Sequence, residues 1–165
     1  MLFRSLTPRE KKALVSLGVP ESSVEVIGYG ISPSAIAGGD GRRFRDRRGI
    51  TGPLVLFLGT RGYDKGTVHV VQAAEALREM GRHCTLVLAG SSSNRDFIEF
   101  HAGLAPGPRA RVLLLDDITE EEKKDLLAAT DVLALPSRND AFGLAFLEAW
   151  RSEEHTSELQ SRQSI

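Results

Sequence analysis

Several features that would mark a particular class of protein are scarce or missing in this sequence. Its 165 residues include one cysteine, Cys84, which excludes an internal disulfide and fits a reducing compartment. The net charge is −1, so no basic field over the whole chain indicates a nucleic-acid partner. No apolar run approaches the length of a membrane span, and residues 1–5 lack a signal-peptide pattern. We therefore expect a cytoplasmic protein that does not bind nucleic acid.

The residues that would build other familiar kinds of site are also missing. His69, His83 and His101 have no mutual spacing or acidic partner that suggests metal ligation or a catalytic triad, so we expect no metal site. Cys84 lies in an apolar run, which favours a buried structural thiol over a reactive one.

From residue 54 onward the sequence alternates between apolar strands and amphipathic helices. This pattern predicts an α/β fold with a parallel, doubly wound sheet and ligands at the carboxyl ends of the strands. The predicted strands are Leu54–Leu58, Thr85–Ala89, Arg111–Leu115 and Val132–Leu135. The predicted helices are Gly66–Met80, a stretch through Phe97 and Leu104, and one capped by Thr119. Earlier in the chain, a helix capped by Thr7 and the strand Val24–Gly28 are predicted.

The loop Gly59–Gly66 follows the first of these strands and carries two cations. Glycines at both ends let the backbone approach a ligand, and Arg61 and Lys65 place positive charge at a helix start. Diphosphate would suit such a loop, because Arg binds it bidentately and Lys acts as a point charge. The Gly-Lys-Ser/Thr ending of a Walker loop is absent. An ordinary β-to-α turn would explain the same residues.

A second candidate segment follows the last predicted strand and places Asp140 and Glu148 with seven residues between them. A helix that opens at about Phe142 would bring free N–H groups and its positive dipole end beside Asp140. Glu148, further along that helix, could accept hydrogen bonds from sugar hydroxyls. The alternative is a helix N-terminal acid followed by an exposed helix glutamate.

At these residues the chain resembles the retaining glycosyltransferases of family four, which have the two-domain GT-B fold. Their signature is an acid, seven residues and Glu, with Phe-Gly-Leu inside and Glu-Ala at the end. Asp140 stands where the family usually has Glu. In the earlier loop Lys65 and Gly66 match the family pattern, but Thr60 occupies the family's Arg position and Arg61 follows it.

The resemblance implies transfer of a sugar from a nucleotide diphosphate sugar to an unknown glycan, lipid or small-molecule acceptor. It implies catalytic roles for Asp140, Lys65 and Arg61, and a backbone contact between Ile118 and the nucleobase. The donor is a substrate, so we expect no cofactor. The implied donor-binding residues are Gly59, Lys65, Ile118, Phe142, Gly143, Leu144 and Glu148. Two alternatives stay open: a non-catalytic nucleotide-sugar-binding fragment or degenerate homologue, and another enzyme on the same architecture.

The resemblance also implies a division of the chain. Residues 1–33 would end an N-terminal acceptor domain, 34–52 would be a linker, and 53–150 would form a truncated nucleotide-sugar-binding domain. The arginine-rich part of 34–52 is interpreted as a solvated linker, and the alternative is a basic patch that contacts an anionic membrane at the inner face or an acidic acceptor. Residues 151–165 resemble the translation of a sequencing adapter and are interpreted as an artefactual tail, the alternative being a natural polar tail.

Overall fold

The computed structural model describes residues 2–28, 30, 37–91, 94–105, 107, 111–138 and 144–152, the last three by their backbone alone. These residues belong to two compact units, Met1–Ser32 and Pro33–Ile165. Among them, no helix is both long and apolar enough to cross a membrane.

The first unit is a small parallel β-α-β arrangement. Strand β1 (Phe3–Ser5) pairs with β2 (Val24–Val26), and helix α1 (Pro8–Ser16) lies between them in the chain. The predicted capping box is confirmed, since Thr7 accepts from the Glu10 N–H and the Glu10 carboxylate accepts from the Thr7 N–H. Strand β1 was not predicted, because three residues carry too little of an alternating pattern.

The second unit contains a four-stranded parallel sheet in the order β5-β4-β3-β6. The predicted α/β class and parallel sheet are therefore confirmed. Apolar side chains of β3, β4, α3 and α4 form the core between the sheet and these helices, with Phe57, Val71, Leu88 and Phe97 almost fully buried. In chain order the elements are α2 (Gly41–Arg48), β3 (Leu54–Leu58), α3 (Thr67–Glu79), β4 (Thr85–Ala89), α4 (Arg95–Gly103), β5 (Val112–Leu115), α5 (Glu120–Ala129), β6 (Val132–Leu133) and α6 (Leu144–Ser152).

The structure corrects the interpretation of the arginine-rich segment as a solvated linker. Residues 41–48 form helix α2, which buries Phe44 and packs on α5. Asp40 caps the helix by accepting from the Arg43 N–H, and Gly49 ends it at a φ of 65°. The sequence analysis missed this helix because its charge density resembles that of a solvated segment and its partners lie more than seventy positions later.

Helix α2 is joined to α5 by a bidentate ion pair. Arg43 donates from Nε to Oδ2 of Asp125 at 2.6 Å and from Nη2 to Oδ1 at 2.8 Å, and the Asp40 N–H donates to Oδ1 at 2.7 Å. The hydrogen bonds from Arg43 hold the pKa of Asp125 below its ordinary value, and the same pair raises the pKa of Arg43. A Cβ at Gly39 or Gly41 would lie 2.2 or 2.4 Å from a carbonyl oxygen of α5, so the two backbones touch.

At the amino end of the sheet, a second arginine of α2 joins β3 to β6. Arg45 donates to Oδ2 of Asp131 at 2.6 Å, and the same oxygen accepts from the Leu54 N–H at 2.7 Å. Asp131, just before β6, thereby satisfies a backbone group of β3 that lies 77 positions earlier in the chain. Cys84, predicted to be buried, is only partly buried, and desolvation raises the pKa of its thiol.

Candidate functional site

The strand order places a topological switch point beside β3. The chain proceeds from β3 to β4 and β5 on one side and then returns to place β6 on the other side. The loops that leave the carboxyl ends of β3 and β6 therefore diverge to opposite faces of the sheet. A crevice outside the strand ends at such a point is the usual ligand site of open α/β sheets.

The two loops at this point are in direct backbone contact. Gly66 has a φ of 76°, and a Cβ on it would lie 2.3 Å from the carbonyl oxygen of Pro136. The Arg138 N–H donates to the carbonyl oxygen of Asp64 at 2.9 Å, and the Arg138 guanidinium carbon lies 5.2 Å from the centre of the Tyr63 ring. These contacts bring the Lys-Gly loop and the segment that precedes Asp140 together.

Helix α3 begins directly after Lys65 and Gly66. Its N-cap residue is Gly66, which offers no side chain to the first N–H groups of this 13-residue helix. Two hydrogen bonds close the turn before the helix. The Gly62 N–H donates to Oγ1 of Thr67 at 3.1 Å, and the Thr67 N–H donates to the Gly62 carbonyl oxygen at 3.2 Å. A helix start without a side-chain cap, next to a lysine, suits an anionic group. Lys65 itself is partly buried.

Glycines also let the strand ends approach each other along this edge. A Cβ on Gly90, which has a φ of 129°, would lie 2.2 Å from the carbonyl oxygen of Gly59. The Gly59 N–H donates to the Ala89 carbonyl oxygen, and the Gly90 N–H donates to the Leu115 carbonyl oxygen, each at 2.9 Å. The carboxyl ends of β3, β4 and β5 therefore lie side by side at this edge of the sheet.

Glu148 lies on α6, the helix that follows the β6 loop. Its Oε1 accepts a hydrogen bond from Nζ of Lys123 on α5 at 2.7 Å. Both side chains are about three-quarters buried, at 24% exposure for Lys123 and 25% for Glu148. The carboxylate of Glu148 is thus held against α5.

Comparison with known proteins identifies the family. The profile described as Glycosyl transferases group 1 matches residues 42–153, which is more than half of the chain. The chain belongs to the group 1 glycosyl transferases.

Curated relatives of this chain are glycosyltransferases by name. An uncharacterised glycosyltransferase of Methanocaldococcus jannaschii is 32% identical over 137 residues, which cover 79% of this chain and 34% of that protein. The 2-deoxystreptamine glucosyltransferase of Streptomyces kanamyceticus is 28% identical over 151 residues, 88% of this chain and 39% of that protein. The chain therefore spans little more than a third of the length of these curated relatives.

Solved structures confirm the fold class. Anabaena HepE in complex with UDP and glucose superposes with a TM-score of 0.75 at 22% identity, over 92% of this chain and 42% of that one. The C-terminal domain of the group 1 protein LpcC from Francisella tularensis superposes with a TM-score of 0.61 at 22% identity, over 75% of this chain and 67% of that domain. The predicted Rossmann-like half of a GT-B fold is confirmed.

Arg61 has a position that the sequence analysis did not predict. Its side chain is fully buried beneath the Lys-Gly loop. Nη1 donates to the Leu88 carbonyl oxygen at 3.0 Å, Nη2 donates to Oδ1 of Asp116, and the guanidinium carbon lies 5.6 Å from the centre of the Phe97 ring. A guanidinium held in this way ties the loop after β3 to the end of β5. Its predicted role as a phosphate ligand has no support in these contacts.

The loop after β5 lies on the same edge of the sheet. Asp116, half exposed, is held by Arg61, and Asp117 has a φ of 45°. Ile118 is partly buried just before Thr119, which caps α5 by accepting from the Glu122 N–H at 3.1 Å. The predicted cap at Thr119 is confirmed, and the contact of Ile118 with a nucleobase stays a prediction.

Three predicted site residues, Asp140, Phe142 and Gly143, lie outside the residues that the structure describes. Leu144 is the first residue of α6 and is partly buried. Residues 153–165, most of the predicted tail, also lie outside, so the adapter interpretation stays a prediction.

Other polar groups show no arrangement for metal binding. Within the described ranges, no cluster of three or more His, Cys, Asp or Glu side chains could hold a metal ion. Nδ1 of His69 lies 3.3 Å from Oε1 of Gln72. The ring of His101 stacks on the ring of Phe97, with the ring centres 5.9 Å apart.

Lys123 was missed by the sequence analysis. Helical periodicity places it on the opposite face of α5 from Glu121, but periodicity does not tell which element packs there.

Proposed function

We propose that the protein is a retaining glycosyltransferase that takes its sugar from a nucleotide diphosphate sugar, and that this unit binds the donor. The observation that carries the proposal is the backbone contact between the Lys65–Gly66 loop and the Pro136–Arg138 segment at the switch point. This contact joins the loop of Lys65 and the side-chain-free start of α3 to the segment that leads towards Glu148, and in this proposal these groups would line one crevice.

Each part of the donor has a matching group in that crevice. Lys65 and the N-terminus of α3 would balance the charge of the diphosphate, which grows on the leaving group during transfer. Glu148 would accept hydrogen bonds from the ribose hydroxyls. Asp140 through Leu144 would hold the transferred sugar, and the loop at Ile118 would face the base. The UDP and glucose bound to HepE, a protein of the same fold, support this class of donor.

The binding test uses calorimetric titration of the 165-residue chain with UDP, GDP and ADP. We expect one of these nucleotides to bind, and Lys65→Ala and Glu148→Ala each to weaken that binding by at least about tenfold, since each removes a charged partner. Lys12→Ala is the matched control, because Lys12 is an exposed lysine of α1 in the other unit. Absence of binding by all three nucleotides would overturn the proposal.

Because the chain spans little more than a third of the length of its curated relatives, turnover is tested in a fused protein that adds the remaining length of such a relative. Nucleotide release from a panel of nucleotide sugars and the anomeric configuration of the product, read by NMR, report the reaction and its stereochemistry. Inversion of the anomeric centre would contradict the retaining mechanism. The acceptor, whether glycan, lipid or small molecule, stays a prediction.

A second candidate function is nucleotide-sugar binding without turnover. The burial of Arg61 favours it, because one of the two predicted phosphate cations is engaged by Leu88 and Asp116 instead. Tight donor binding with no nucleotide release in the fused protein would select this alternative.

A further inference from the structure

Helix α5 is engaged on two opposite faces. Arg43 of α2 contacts both Glu121, at 3.0 Å, and Asp125, at 2.6 Å. With 3.6 residues per turn, Lys123 is two residues from both Glu121 and Asp125 and lies about 160° from each of them around the helix axis. The face that carries Lys123 therefore turns away from α2, and Lys123 reaches Glu148 on α6.

The contact between Lys123 and Glu148 is less exposed to solvent than an ordinary surface ion pair. Its 2.7 Å separation is that of a charge-assisted hydrogen bond, and about three-quarters of each side chain is removed from solvent. The exposed pair Arg95–Glu99, by contrast, has the same 2.7 Å separation at 88% and 63% exposure. Screening by water makes the exposed pair weak, whereas the partly buried one restricts the rotamers of both side chains.

We propose that Lys123 is a positioning residue for Glu148, which fixes the carboxylate in the orientation that accepts the ribose hydroxyls of the donor. This inference rests on the proposed function, since it assigns Glu148 to the ribose. A carboxylate has about four acceptor positions, so Oε1 can keep its bond to Lys123 while the group accepts from a sugar. Fixing the carboxylate before the donor arrives lowers the ordering cost of binding.

The test compares each ribonucleotide with its 2′-deoxy counterpart, because only the ribose contact distinguishes the two ligands. UDP and 2′-deoxy-UDP, and the guanine and adenine pairs, are titrated into the chain and into Lys123→Met and Lys123→Arg. Lys123→Met is expected to lower the preference for the ribonucleotide about fivefold, while affinity for the deoxy ligand changes less than about twofold. Lys123→Arg is expected to restore the preference to within about twofold, because it keeps a charged donor.

The matched control is Arg95→Met, which removes the exposed pair on α4 and leaves the preference unchanged. A purely structural role for Lys123 would weaken both ligands equally, and that result would overturn the inference. Tighter UDP binding in Lys123→Met would also overturn it, because Lys123 would then compete with the ribose for Glu148. If no nucleotide binds the unsubstituted chain, the proposed function fails; an unchanged preference in a chain that binds UDP overturns this inference alone.

Discussion

At the scale of single residues, two glycines with almost the same backbone angle have different surroundings. Gly66 has a φ of 76° and touches the Pro136 carbonyl, whereas Gly81 has a φ of 75° and has nothing within 4 Å of an added Cβ. The pair therefore separates the strain of a left-handed conformation from the close approach of two loops.

Substitution of these glycines by alanine is expected to have unequal costs. Gly81→Ala should lower the free energy of unfolding by about 1 kcal/mol through backbone strain alone. Gly66→Ala should lower it by at least about 3 kcal/mol, because the β6 loop must also move away. Urea denaturation measures both values. Equal losses at the two positions would show that the contact between the loops has no energetic weight.

The direction and burial of the Arg61 side chain could not be predicted from the place of Arg61 in its motif. The sequence placed it correctly in the loop after β3, together with Lys65. The direction of its side chain depends on Asp116, which lies 55 positions later, and on the space beside Phe97. A single sequence gives no means of pairing positions so far apart, so the buried guanidinium could not be predicted.

At the scale of secondary-structure elements, the pairing of α2 with α5 depends on pH through Asp125. Its pKa is lowered in the folded protein by the hydrogen bonds from Arg43, so the ion pair stabilises the fold at pH values above the unfolded pKa of about 4. This contribution is lost as the pH falls below that value and through the folded pKa.

Asp125→Asn is therefore expected to destabilise the chain at pH 7. Its stability should differ less from that of the unsubstituted chain as the pH falls below about 4 and through the lowered pKa of folded Asp125, because the carboxylate of the unsubstituted chain then becomes protonated. Chemical denaturation at a series of pH values gives the two curves. Asp46→Asn is the matched control, since Asp46 forms an exposed pair with Arg42 at 3.8 Å. A difference between the Asp125→Asn and unsubstituted chains that stays constant down to pH 3 would contradict the assignment.

Most elements of the second unit could be predicted because their signals are local. The five-residue apolar strand β3 and helix α3 lie within one residue of the predicted bounds, and α5 begins directly after its predicted cap, Thr119. Strand β6 is shorter than predicted and ends at Leu133, although the Ala134 N–H still donates to the Leu56 carbonyl oxygen. Helix α2 could not be predicted, since its stability comes from contacts with α5 and not from its own apolar residues.

At the scale of the whole molecule, a nucleotide that binds the folded unit must stabilise it. At a free concentration of 100 times the dissociation constant, the expected gain in unfolding free energy is about 2.7 kcal/mol. Thermal unfolding followed by the fluorescence of the single tryptophan measures the gain for UDP, GDP and ADP.

The corresponding nucleosides, uridine, guanosine and adenosine, serve as ligand controls. They lack the diphosphate that Lys65 and the start of α3 would bind, so they should give a much smaller gain at the same concentration. Equal stabilisation by nucleoside and nucleoside diphosphate would place the binding energy in the base and ribose and remove the anion site from the proposal.

The location of the candidate site could be predicted, whereas its internal contacts could not. Parallel strands end at one edge, so Lys65 and the segment before Asp140 were expected to meet there, and the loop contact at Pro136 agrees. The partner of Glu148 is set by how α5 and α6 pack. That packing is a property of the assembled unit and leaves no mark in the spacing of residues.

The packing of α2 on α5 affects where chimeras between homologues can be joined. The family profile begins at Arg42, and a chimera joined at that residue would take Gly39, Asp40 and Gly41 from the other parent. Gly39 and Gly41 allow the backbone to pack against carbonyl groups of α5, and Asp40 caps α2 and donates its N–H to Asp125. A crossover upstream of residue 39, with residues 120–129 inherited from the same parent, keeps the contacts between α2 and α5.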